Sequence, residues 1–134
     1  MVIAKTAMKV DHIAIYVEDL EKVRQFFVEH FGALANGMYH NTRTGLRSYF
    51  LSFDGDCRVE IMSRPEVHAE DFDEYRAGYT HLSFAVGGKK AVDSLTARLK
   101  ACGYEVLSGP RTTGDGYYES SIRVIGNLIV EICE

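Results

Sequence analysis

The chain has 134 residues, a net charge of −4 from 15 basic and 19 acidic side chains, and 46% apolar and 25% charged content. These values fit a single soluble globular domain, or two half-size modules sharing a core, and they argue against nucleic acid as the main partner. No stretch is long and apolar enough to cross a bilayer and the N-terminus has no signal-peptide core. With three cysteines lacking C-x-x-C spacing (Cys57, Cys102, Cys133), the expected setting is the reducing cytoplasm, with no membrane partner.

Residues 1–7 read as a loose arm or edge strand. Val10 to Val17 is a strand with Ile13, Ile15 and Val17 on one face and His12, Ala14 and Tyr16 on the other. Asp19 is the expected N-cap of a helix from Leu20 to Phe31, with Leu20, Val23, Phe27 and Phe31 inward and Gly32 as its stop. Residues 36–45 read as loop, Ser48 to Phe53 and Cys57 to Met62 as paired strands, and Pro65 to Ala77 as an acidic linker. The second half repeats the order. Thr80 to Val86 is a strand, and Lys89 to Ala101 a helix with Val92, Leu95 and Leu99 inward. Tyr104 to Leu107 is a short strand, Ser108 to Gly116 a loop, and Tyr117 to Val124 with Leu128 to Cys133 a hairpin. Each half is therefore β-α-β-β-β, an α+β arrangement of two modules at about 8–64 and 78–134, within one domain of residues 1–134.

The halves also repeat their chemistry. Asp11-His12-Ile13-Ala14-Ile15 returns as Thr80-His81-Leu82-Ser83-Phe84, and Val59-Glu60-Ile61 returns as Val130-Glu131-Ile132. Alternation puts Val59, Ile61, Val130 and Ile132 on the helix side of their strands, so His12, Glu60, His81 and Glu131 share the uncovered side. A sheet curled around that side would form a cleft floored by two imidazoles and two carboxylates. A carboxylate drawn out of water needs a cation, and a metal ion supplies one. Neutral imidazoles with carboxylates suit Zn, Ni, Co, Mn or Fe(II), and leave two octahedral positions for water or substrate. His30, His40 and His68 have no counterparts in the repeat and read as surface residues.

These residues carry a resemblance. His12 with the Val17-Glu18-Asp19-Leu20 helix entry, Phe26-Phe27, Phe31-Gly32, Val59-Glu60-Ile61, Thr80-His81-Leu82-Ser83-Phe84 and Ile129-Val130-Glu131-Ile132 resemble the glyoxalase/bleomycin-resistance/extradiol-dioxygenase (vicinal oxygen chelate) superfamily over residues 8–134. The His, Glu, His, Glu order resembles bacterial lactoylglutathione lyase (glyoxalase I). The resemblance implies paired βαβββ modules forming a curved mixed sheet around a metal cleft, usually in a homodimer. It implies a metal-dependent lyase or isomerase acting on a small 2-oxo compound or its thiol hemithioacetal. His12, Glu60, His81 and Glu131 would be the ligands, with Glu131 or Glu60 as the base. Tyr16, Tyr49, Arg64, Arg111 and Tyr117 are candidate substrate contacts. The same superfamily offers a metal-dependent thiol transferase of the antibiotic-resistance type, an epimerase, and a non-catalytic drug- or metabolite-binding protein as alternatives.

Two departures qualify the resemblance. Tyr16 and Arg64 stand where bacterial glyoxalase I usually has an Arg and an Asn near glutathione, so the thiol is left open. The family's turn before the last ligand puts its left-handed residue at Asn127.

Overall fold

The computed structural model describes residues 8–71, 73 and 75–134; the arm expected at residues 1–7 lies outside them. The chain forms two compact units, Met1–His68 and Ala69–Glu134. No helix among the described residues is long and apolar enough to cross a membrane.

The first unit contains β1 (His12–Tyr16), α1 (Leu20–Phe31), β2 (Leu34–Ala35), β3 (Tyr39–His40), β4 (Arg47–Ser52) and β5 (Arg58–Ser63). Its sheet runs β1-β5-β4-β2, with β3 also on β4. The β1–β5 pair is parallel and the other pairs are antiparallel. Helix α1 begins where Asp19 Oδ1 accepts from the Lys22 amide at 3.0 Å, and ends where Gly32 takes φ 64°. The cap and stop satisfy amide and carbonyl groups that the helix itself leaves unpaired. Its inward face is Leu20, Val23, Phe26 and Phe27, packed on β4 and β5 over Leu51, Val59 and Ile61. Phe31 is only half-buried and Phe26 takes its place in the core, because α1 turns Phe26 and Phe27 together toward the sheet. The loop expected at 36–45 holds the short strand β3. Asn41 Oδ1 closes the turn after it by accepting from the amides of Arg43 and Thr44.

The second unit contains β6 (Leu82–Ala85), α2 (Lys89–Ala101), β7 (Glu105–Thr112), β8 (Tyr118–Arg123) and β9 (Ile129–Cys133). Its sheet runs β6-β9-β8-β7, with only β6–β9 parallel. Both units are thus mixed sheets with one helix on one face, and the fold is α+β. Helix α2 packs Val92, Thr96 and Leu99 on Ile122, Val130 and Ile132. Leu95 is half-buried, and Thr96 stands in the core in its stead. Its hydroxyl can be buried because it donates to Val92 O at 2.6 Å and shares a hydrogen bond with Ser120 Oγ at 2.7 Å.

Two turn expectations change. Strand β7 continues to Thr112, through the segment expected to be loop, because two register shifts, after Val106 and after Ser108, keep it paired with β8. Before β9 the left-handed residue is Gly126, at φ 65°, and not Asn127. Glycine meets no Cβ penalty there, and the Asn127 side chain is free to donate to Glu70 O at 2.8 Å.

Candidate functional site

In the first unit, strand pairing sets Glu60 between Ala14 and Phe50 on the face away from α1. His12 lies diagonally from it, opposite Arg58. The small Ala14 leaves the Glu60 carboxylate uncrowded on that side. His12 Nδ1 lies 2.7 Å from Asp11 Oδ2, and Arg58 Nη2 donates to the same oxygen at 2.9 Å. These hydrogen bonds, His12 first and Arg58 next, hold the Asp11 carboxyl below the usual carboxylate range. Phe50 sets its ring 5.2 Å from the His12 ring, nearly perpendicular, and the Arg58 guanidinium lies 4.4 Å from the Phe50 centroid. No ion pair joins His12 to Glu60 among the described residues.

In the second unit the corresponding pair is in contact. His81 Nε2 is 3.2 Å from Glu131 Oε2, with the side chains 38% and 20% exposed. Ser83 Oγ donates to Glu131 Oε1 at 2.9 Å, and Thr80 Oγ1 shares a hydrogen bond with His81 Nδ1 at 2.8 Å. Pairing sets Glu131 between Ser83 and Ser121, and Cys133 opposite Glu119. Glu119 is a neighbour that sequence reading missed. Burial, and then a hydrogen bond with Glu131, push its carboxyl above the ordinary range. The signal was available: Ser120 and Ile122 point into the core, so Glu119 and Ser121 must share the Glu131 face.

The other candidates separate. Tyr16 is exposed on the His12 face, and the Arg64 guanidinium donates to Glu66 at 2.8 Å. Arg111 pairs opposite Glu119 on the Glu131 face, with Nε donating to Ser108 Oγ at 3.0 Å. Tyr117 is exposed in the β7–β8 turn, where its amide donates to Thr113 Oγ1 at 3.0 Å. Tyr49 faces the other way: its register with Ile61 turns it to α1, where its hydroxyl donates to Glu21 Oε1 at 2.5 Å. It therefore leaves the candidate set. His30, expected at the surface, is only 12% exposed and packs on Phe26. Among the described residues, no three His, Cys, Asp or Glu side chains gather closely enough to hold a metal ion.

The donor chemistry of the pair in the second unit nevertheless fits a divalent ion. Two donors each about 2.1 Å from one ion, at right to tetrahedral angles, stand about 3.0–3.4 Å apart. The His81–Glu131 separation of 3.2 Å lies in that range.

Comparison with known proteins agrees with this architecture. The model of the "Glyoxalase/Bleomycin resistance protein/Dioxygenase superfamily" matches residues 9–123. The uncharacterized protein YqjT of Bacillus subtilis (strain 168) is 31% identical over 129 residues, covering 91% of this chain and 98% of its own. Glyoxalase I of Leishmania major, described as trypanothione-dependent, superposes with a TM-score of 0.76 at 17% identity, over 96% of this chain and 87% of its own. The genomically encoded fosfomycin resistance protein FosX of Listeria monocytogenes, complexed with Mn(II) and sulfate ion, gives 0.67 at 20% identity, over 98% and 93%. With a family match over most of its length, the chain belongs to the glyoxalase/bleomycin resistance protein/dioxygenase superfamily.

Proposed function

We propose that this protein is a metal-dependent lyase or isomerase of glyoxalase I type, acting on a small 2-oxo compound or its thiol hemithioacetal. The observation that carries the reading is the His81–Glu131 pair, set 3.2 Å apart on the uncovered face and matched in sequence by His12 and Glu60. In this reading the four residues hold one divalent cation, Zn, Ni, Co, Mn or Fe(II), as a donor set of two imidazoles and two carboxylates. The cation, when bound, supplies Lewis-acid stabilisation to two vicinal oxygens as negative charge develops on the substrate. Glu131 or Glu60 then carries the proton between adjacent carbons. Ser83 favours an ordered Glu131, because its hydrogen bond to Oε1 leaves Oε2 directed at His81. Arg111, Tyr117, Tyr16 and Arg64 are the proposed substrate contacts. The substrate is a small molecule, taken either alone or with a thiol cosubstrate. A homodimer in the cytoplasm belongs to the same reading. A glyoxalase I and a Mn(II)-bound FosX share the fold, which keeps this chemistry within the family's range.

The test is metal analysis of the purified protein beside the His12→Ala, Glu60→Ala, His81→Ala and Glu131→Ala variants. Hemithioacetal isomerisation is then assayed with glutathione, bacillithiol and no thiol, across the five metals. Wild type is expected to hold one ion per chain and to turn over at least one hemithioacetal, and each variant to lose the ion. Stoichiometric metal in Glu60→Ala and His81→Ala would defeat the ligand assignment. A metal-loaded but inactive wild type would shift the reading to thiol transfer or epimerisation.

A further inference from the structure

Each histidine of the repeat has its Nδ1 engaged by the residue just before it, but the two holders differ in kind. Asp11 holds His12 and Thr80 holds His81. An ionised carboxylate only accepts hydrogen bonds, so the proton of the Asp11–His12 contact has to sit on His12 Nδ1. A threonine hydroxyl either donates or accepts, so it leaves the His81 tautomer open. Asp11 is also braced. Arg58 Nη2 donates to the Asp11 oxygen that His12 uses, and the Arg58 amide donates to the Asp11 carbonyl at 3.1 Å. The Arg58 guanidinium lies over Phe50, and the Phe50 ring meets the His12 ring. The four side chains close a loop: Asp11 to His12, His12 to Phe50, Phe50 to Arg58, and Arg58 back to Asp11. The second unit has no such loop, because Ile129 occupies the repeat position of Arg58.

We infer that Asp11 is a positioning residue, braced by Arg58 and Phe50, which locks His12 as the Nδ1–H tautomer and leaves the Nε2 lone pair free. That His12 uses this nitrogen for a divalent cation rests on the proposed function; the tautomer lock does not. A metal-binding imidazole whose other nitrogen is fixed by a carboxylate is held in one orientation, and losing such a partner typically costs about 10–100-fold in metal affinity. Asp11 and Arg58 are both more than a third exposed, so the lower end of that range is expected here.

The test has two arms, read on wild type, Asp11→Ala, Asp11→Asn and Thr80→Ala. The first is ring-nitrogen NMR of the metal-free proteins at about pH 8, above the ordinary imidazole range. Wild type is expected to show His12 as Nδ1–H. Asp11→Ala should release it to a mixture of tautomers, and Asp11→Asn, which keeps an accepting oxygen, should restore Nδ1–H in part. Thr80→Ala should leave His12 unchanged. The second arm is titration with Mn(II) or Zn(II), in which Asp11→Ala should bind about tenfold more weakly. A wild-type His12 in the Nε2–H form, or an Asp11→Ala protein that keeps pure Nδ1–H, overturns the proposal. If wild type binds neither metal, the functional reading fails while the NMR arm still decides the lock.

Discussion

Tyr49 shows how neighbours decide the use of a single side chain. Its hydroxyl donates to Glu21, and the Arg24 guanidinium lies 5.4 Å over its ring while also donating to Glu21 at 2.9 Å. Tyr49 first, and then Arg24, draws the Glu21 carboxyl below its ordinary 4.5, while Glu21 pushes the Tyr49 hydroxyl above its ordinary 10.0. The sign follows from linkage. A carboxyl with a lowered folded value stabilises the protein above its ordinary value, and that contribution is lost as pH falls through the lowered value. Glu21→Gln is therefore expected to be less stable than wild type at neutral pH, by under about 1 kcal/mol because the group is largely exposed. The gap should close on acidification below 4.5. Urea unfolding of both proteins across that range measures it, and a gap of equal size at the acid end would remove the ionic part of the argument.

At the scale of the element, two register shifts in β7, one after Val106 and one after Ser108, decide which residues reach the Glu131 face. Ser108 pairs with Ser121 and Arg111 with Glu119. Residues three apart on β7 therefore meet residues two apart on β8, and this second shift keeps Arg111 on the side to which the first had brought Ser108. Gly109 makes this possible. Its φ is 81°, and a Cβ there would stand 2.5 Å from the carbonyl oxygen of Glu119. Gly109→Ala is expected to cost about 2 kcal/mol or more in denaturant unfolding, combining left-handed strain with a backbone overlap that a side-chain rotation cannot relieve. A loss below about half a kcal/mol would show that the strand shifts freely. These shifts also explain what sequence reading could and could not reach. Both helices were legible to the residue, because their starts and stops depend on near neighbours such as Asp19 and Gly32. The strands bearing His12, Glu60 and Glu131, and the strand that begins just after His81, were legible because alternation is local. The extension of β7 was not, since Gly109 and Pro110 read as loop until β8 supplies the pairing. Glu119 was missed and Tyr49 misplaced for the same reason, as their surroundings depend on cross-strand register and on helix contacts. The Asp11 and Thr80 contacts lie between adjacent residues, a relation that neither helical nor strand periodicity marks.

At the scale of the molecule, the proposed site makes a thermodynamic claim about two units that are each compact in their own right. A cation that binds only the folded protein stabilises it by about 2.7 kcal/mol at a hundredfold excess over Kd, which for a domain of this size is roughly 10 °C in Tm. If one ion takes donors from both halves of the repeat, whether within a chain or between two copies, removing either pair disables the same site. Glu60→Ala and Glu131→Ala should then each abolish most of the metal-induced rise in Tm, and the double variant should lose no more than either single one. Independent sites behave differently: each variant would remove its own share and the losses would add. Comparing the four proteins with and without Mn(II) or Zn(II), by calorimetry at fixed protein concentration, separates the cases. A rise that survives in Glu60→Ala but vanishes in Glu131→Ala would mean that His81 and Glu131 bind the ion without the first unit. The repeat would then have kept its chemistry in one half only, and His12, for all the bracing given by Asp11, Arg58 and Phe50, would be ordered for some other purpose.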